Sequence, residues 1–212
     1  MARPRPSAPR RLLALTLAAA AAGGGLTGCE RKGAASYVVG FSQMESDNPW
    51  RIAQTASLRQ EAEKRGVQLV VTDAQGQTAK QVSDVEDLIA RRVNLILLAP
   101  REFEGLAPAL QSAKQANIPV ILVDREAAGS AGSDYVTFLG SNFVQQGQRA
   151  ADWLAQATGG NARIVELTLT PGSSVARDRA AGFREAMAKH PGMTIVASQT
   201  GNASRAQGEK VM

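Results

Sequence analysis

The chain has 212 residues, 44% hydrophobic, 20% charged and 4% aromatic, a balance that excludes a disordered or collagen-like polymer and allows one or two globular domains. Its formal charge of +5 is not a nucleic-acid signature: four of the 24 bases (Arg3, Arg5, Arg10, Arg11) and none of the 19 acids lie in residues 1–28, leaving 20 bases against 19 acids elsewhere. One cysteine, Cys29, excludes an intrachain disulfide and a multi-cysteine metal site, and one histidine, His190, leaves little for histidine-based catalysis or zinc.

Residues 1–28 read as an export signal. A basic, Pro-rich start is followed by an apolar run over 12–22, too short for a bilayer core of ~30 Å, which needs ~20 apolar residues. Gly23, Gly24 and Gly25 break it, and Leu26-Thr27-Gly28-Cys29 resembles a bacterial lipobox, in which the cysteine is lipidated and the chain cut before it. A chance cysteine behind an ordinary cleavage site is the alternative, and Arg10-Arg11 leaves a twin-arginine signal open. Residues 29–36 are small and charged, without periodicity, and suit a tether. The expected mature protein is soluble, lipid-anchored through Cys29 and outside the cytoplasm.

From Tyr37 the pattern alternates strand and helix. Strands are expected over 37–42, 67–72, 95–99, 119–123, 135–139, 163–168 and 193–198. Asn48-Pro49 is a cap followed by a first-turn proline, opening a helix to about Arg65 that Gly66 can end. Further helices are expected over 80–92, where Val82, Val85, Leu88 and Ile89 share a face, and over 104–116, 144–157 and 175–189. Another helix begins near Glu209. The order predicts an α/β fold with parallel, doubly wound sheets, whose ligands sit at the carboxyl ends of the strands.

The polar residues following each apolar run are therefore the candidates: Gln43, Asn48, Trp50 and Arg51; Asp73; Arg101; Asp124-Arg125; Ser141-Asn142; and Ser173, Ser174, Arg177 and Arg179. Carboxylates and guanidinia together hold neighbouring hydroxyls by charge-assisted hydrogen bonds, and a Trp face covers the C–H side of a sugar ring. Each has a plainer reading as well. Asp124-Arg125 also fits a surface ion pair, Trp50 a core residue, Arg51 a solvated cation, Asn48 and Asn142 a cap or turn, Asp73 a turn, and Arg177 a partner of Asp178. No nucleophile elbow, phosphate loop or metal motif appears, so neither enzyme activity nor a cofactor or metal is expected.

Val39-Gly40-Phe41-Ser42-Gln43, EAEKRG at 61–66, ANIPV at 116–120, Asp124-Arg125, SVARDR at 174–179 and SQTG at 198–201 together resemble the periplasmic sugar-binding proteins of the ribose/galactose-binding type, most nearly their galactofuranose-binding branch, with Trp50-Arg51 in place of an aromatic pair. The resemblance implies two α/β lobes closing over a monosaccharide for the permease of an ABC importer, with a sensory role feeding a kinase or chemoreceptor as the alternative. It implies ligand contacts from Asn48, Trp50, Arg51, Asp124, Arg125, Asn142 and Arg179. It also implies an N-terminal lobe over 37–140, a partial second lobe over 141–212, and a chain that stops before the second lobe is complete, leaving an apolar face and an unpaired edge. Ala203 departs from the pattern, standing where many relatives carry an aromatic.

Overall fold

The computed structural model describes residues 37–212; the signal segment, the lipobox with Cys29 and the tether lie outside the described residues. The elements run β1 (Val38–Gln43), α1 (Pro49–Lys64), β2 (Gln68–Asp73), α2 (Thr78–Ala90), β3 (Leu95–Leu98), α3 (Ala107–Gln115), β4 (Val120–Val123), β5 (Thr137–Leu139), α4 (Phe143–Thr158), β6 (Asn161–Thr168), α5 (Ser174–Met187), β7 (Gly192–Thr200) and α6 (Arg205–Val211). Two parallel sheets result: a five-stranded one in the order β2-β1-β3-β4-β5 and a two-stranded one of β6 and β7. This is the α/β, parallel architecture expected of alternating strand and helix signals.

β1 is an interior strand, buried from Val39 to Gln43, and it pairs with β2 through Val39–Leu69 and with β3 through Val39–Leu95. The main core lies between this sheet and helices α2 and α3. Val85 and Leu88 of α2, and Ala109, Leu110 and Ala113 of α3, bury Ile96 and Leu98 of β3 and Val120 and Leu122 of β4. The alternate residues Leu95, Leu97, Ile121 and Val123 point to the other face and are only half-buried. On β6 and β7, Val165, Leu167 and Val196 remain largely exposed.

Local chemistry sets the helix ends. Asn48 Oδ1 accepts from the Arg51 N–H at 3.0 Å, with Pro49 in the first turn. Ser173 caps α5, and Gly159 ends α4 in the left-handed region. α3 corrects the sequence expectation, beginning at Ala107 rather than at 104. The preceding residues bend, Gly105 takes φ 90°, and the Phe103 backbone is bound twice, its N–H to the Gly172 carbonyl (2.8 Å) and its carbonyl to the Ala128 N–H (2.7 Å). These tertiary hydrogen bonds outcompete helical continuation. α6 likewise begins at Arg205, capped by Ser204, earlier than expected.

The second sheet is backed by α4 and α5, which cross in very close contact. Gly147 faces the Arg179 backbone, and Gly182 faces the Val144 carbonyl; a Cβ at either would overlap backbone atoms of the facing helix. This crossing fixes the position of Arg179 relative to Phe143 and Gln146.

Candidate functional site

The loops at the carboxyl ends of the strands converge on a cleft of about 360 Å³. From the first sheet's side come Asn48, Trp50 and Arg51, just after β1, and Asp124 and Arg125, just after β4. The crossing segment and α4 bring Ser141, Phe143 and Gln146; the loop after β6 and α5 bring Leu169, Val175 and Arg179; Ala203 follows β7.

Asp124 is the centre of charge. Its Oδ2 lies 2.7 Å from Arg51 Nη2, and both side chains are largely removed from solvent, Arg51 being 2% exposed. Arg51 Nη1 donates to Gln54 Oε1 (2.9 Å), which also accepts from Gln43 Nε2 (3.0 Å), so the guanidinium is held by a buried polar network. The Arg125 N–H donates back to the Val123 carbonyl (2.8 Å), a three-residue turn centred on Asp124 at φ 65°. Such left-handed geometry is tolerated by an Asp and concentrates where a side chain must be aimed.

Arg125 is 5% exposed, and its Nη1 donates to the Arg101 carbonyl at 3.0 Å. Its Nε lies 4.0 Å from Asp124 Oδ2 and has no hydrogen-bond partner although buried. Burial, reinforced by the neighbouring Arg51 charge and opposed by Asp124, lowers its pKa to about 10. Arg179 approaches from α5, its Nε donating to Gln146 Oε1 (2.9 Å) and its guanidinium 4.9 Å from the Phe143 ring centroid. Desolvation lowers its pKa against the attraction of Asp124. Three guanidinia and one carboxylate thus face the cleft, with an unused buried donor, and suit a ligand rich in hydroxyl acceptors.

Of the seven residues expected from the sequence, six line this cleft: Asn48, Trp50, Arg51, Asp124, Arg125 and Arg179. Trp50 stands at the mouth, 63% exposed. Asn48 caps α1 as well, so one side chain serves both readings. Asn142 is not among the lining residues: its Oδ1 accepts from the Gln145 N–H (2.9 Å) and caps α4, the turn reading. Asp73 and Arg101 line a separate polar cleft with Glu45 and Asn202, and Asp73 Oδ1 accepts from the Gln75 N–H (2.8 Å). Gln146, Phe143 and Gln54 were not singled out by sequence reasoning. Nothing marks a polar residue inside a helix as the partner of an arginine 33 positions away until the helix crossing is known.

Among the described residues no group of three or more His, Cys, Asp or Glu is placed to hold a metal, and no helix is long and apolar enough to cross a membrane.

Comparison with known proteins places the chain in a family. The galactofuranose-binding protein YtfQ of Escherichia coli strain K12 is 39% identical over 180 residues, covering 84% of this chain and 57% of that protein. The ribose import binding protein RbsB of the same organism is 36% identical over 166 residues, covering 78% of this chain and 55% of that protein. The periplasmic binding protein component of the arabinose ABC transporter from Shewanella sp. ANA-3, solved with α- and β-L-arabinofuranose, superposes with a TM-score of 0.79 at 40% identity, over 82% of this chain and 58% of that one. The chain therefore spans somewhat over half the length of these relatives. Residues 39–212 match the family model of the periplasmic binding protein domain, and the chain belongs to that family of binding proteins.

Proposed function

We propose that this chain is the receptor part of an extracytoplasmic, lipid-anchored protein that captures a monosaccharide, galactofuranose or a similar furanose, and delivers it to the permease of an ABC importer. The carrying observation is the Arg51–Asp124–Arg125 group facing Arg179 across a cleft with Trp50 at its mouth. A neutral, polyhydroxylated ring answers that group. Hydroxyl oxygens accept from Arg125 Nε and the Arg179 fork, hydroxyl protons go to Asp124, and the apolar ring face meets the indole of Trp50. Asn48 offers an amide at the same rim, whereas Asn142 contributes as the cap that starts α4. The named ligands of the relatives, galactofuranose, ribose and arabinofuranose, support the sugar class, and the periplasmic setting of the Shewanella protein supports the location. The role is binding rather than turnover.

Calorimetry with galactofuranose, L-arabinofuranose, ribose and galactose tests the reading on the parent and on Arg125→Ala and Trp50→Ala. Losing a charged hydrogen bond in a dry cleft costs about 1.5–3 kcal/mol, one to two decades of affinity. Trp50→Ala weakens binding comparably with little effect on stability, because its side chain is exposed in the free protein. If both folded variants bind as tightly as the parent, the cleft is not the sugar site. The lipid anchor is tested by fractionation: Cys29→Ala moves the protein from membrane to soluble fraction, and continued membrane retention would refute anchoring at that residue. Co-purification with a permease, rather than with a sensor kinase, separates import from signalling.

A further inference from the structure

Behind Arg51 the polar side chains are ordered in one direction. Gln43, the last residue of β1, is fully buried, and its amide is not free to turn over. The Met44 N–H donates to Gln43 Oε1 at 3.0 Å, and a backbone N–H can be met by the oxygen of an amide but not by its nitrogen. Nε2 is therefore the atom that faces α1, where it donates to Gln54 Oε1 (3.0 Å) and to Thr55 Oγ1 (3.2 Å). From the opposite end comes Arg51, which carries donors alone, and its Nη1 reaches the same Gln54 Oε1 at 2.9 Å. Two donors converge on one oxygen, and each requires the amide orientation that the other imposes.

We propose that Gln43 and Gln54 are positioning residues for ligand binding: the Met44 N–H, acting through two amides, holds the Arg51 guanidinium in one orientation before a ligand arrives. Neither glutamine lines the cleft, whereas Arg51 does. The effect on affinity rests on the sugar-binding reading; the holding of Arg51 does not.

A guanidinium offers five N–H donors in one plane. Arg51 uses one from Nη1 on Gln54 and one from Nη2 on Asp124 Oδ2, at 2.7 Å. The first acceptor stands on α1 and the second follows β4. Bonds to two separate elements fix both the place and the tilt of the plane; with Asp124 alone, the plane can pivot about that one bond. Packing offers little else to hold it, since Arg51 is the one residue of α1 that is buried. Three donors remain on a side chain that lines the cleft, and the hydroxyl oxygens of a sugar can meet them. A donor set held in advance loses less freedom on binding, which raises affinity without adding a contact.

The test uses the whole chain with arginine labelled by carbon-13 and nitrogen-15, and reads the Arg51 side-chain signals by NMR, assigned from their loss in Arg51→Lys. A guanidinium bonded at both Nη groups rotates slowly about its Nε–Cζ bond and shows two distinct Nη signals, whereas a pivoting one shows their average. The parent without sugar shows distinct signals. Gln54→Met keeps the length but removes the acceptor, and averages them; Gln43→Met removes the donor that orients Gln54, and does the same. Gln54→Glu keeps an oxygen for both donors and retains the distinct signals. Calorimetry with galactofuranose follows the same order. If Gln54→Met leaves Arg51 in place in one molecule of five, affinity falls about fivefold, while Gln54→Glu stays within about twofold of the parent. Thermal melts by circular dichroism check folding. Should the buried Gln43→Met fail to fold, the two Gln54 variants carry the test, since that side chain is half-buried. Averaging in Gln54→Met, together with a parent that does not bind galactofuranose, supports the holding of Arg51 and removes the sugar. Averaging with affinity unchanged in a parent that binds would overturn the bearing on affinity. Averaged Arg51 signals in the parent, or distinct ones in Gln54→Met, would overturn the positioning itself.

Discussion

Replacing Asp124 by asparagine removes one charge and almost nothing else. The amide keeps the volume and an acceptor oxygen, and asparagine tolerates the left-handed backbone at φ 65°. The Arg51 guanidinium, 2% exposed and 2.7 Å from Oδ2, then has no carboxylate to balance its burial. Deleting one partner of a buried pair outright costs about 3–5 kcal/mol. The retained oxygen recovers part of this, so Asp124→Asn should lose about 2 kcal/mol, the scale of one charged hydrogen bond. Asp124→Ala should lose more, since alanine adds about 1 kcal/mol of left-handed strain. Urea unfolding at pH 7 reads this directly: with a slope of about 2 kcal/mol per molar, the asparagine variant's midpoint falls by roughly 1 M. The same substitution in an Arg51→Met background should cost under about 1 kcal/mol, because only the longer Arg125 contact at 4.0 Å remains. An asparagine variant within 0.5 kcal/mol of the parent, or an equal loss in both backgrounds, would refute the claim that Asp124 compensates Arg51.

Arg125→Met should stabilise the fold while weakening sugar binding by about one to two decades. Its pKa, lowered to about 10 chiefly by burial, means that the charged form is disfavoured in the native state; the native chain releases this proton before the unfolded chain does. The penalty is fully present below pH 10 and fades as pH rises from there towards the ordinary arginine value. The variant's advantage in urea midpoint should thus be constant across neutral pH, and a variant less stable than the parent at pH 7 would contradict it. Gly182→Ala should destabilise by about 2 kcal/mol or more, because its Cβ meets the backbone of Val144 and the helices must part. It should also weaken sugar binding by displacing Arg179, and a melting temperature equal to the parent's would show that the crossing is looser than described.

Much of this protein is legible in its sequence because the signals are local. The Asn48-Pro49 helix start, the continuous apolar run from Leu95 and the alternation of strand with helix each depend on neighbours within a few residues, and together they dictate a parallel α/β sheet. The position of the candidate cleft follows from that class, since loops at strand carboxyl ends meet; Arg51, Asp124, Arg125 and Arg179 line it together across a sequence span of well over a hundred residues. The sequence could not separate a cap from a cleft residue, because Asn48 and Asn142 carry the same cap chemistry, and only the direction in which each helix start faces distinguishes them. Tertiary structure alone decided that Gln146 holds Arg179, that α3 starts late because Phe103 is bound by Gly172 and Ala128, and that Arg177 stacks on Phe103. These are contacts between groups distant along the chain or on different elements, and a side chain's partner is set by which surfaces packing brings together, a property no local pattern encodes.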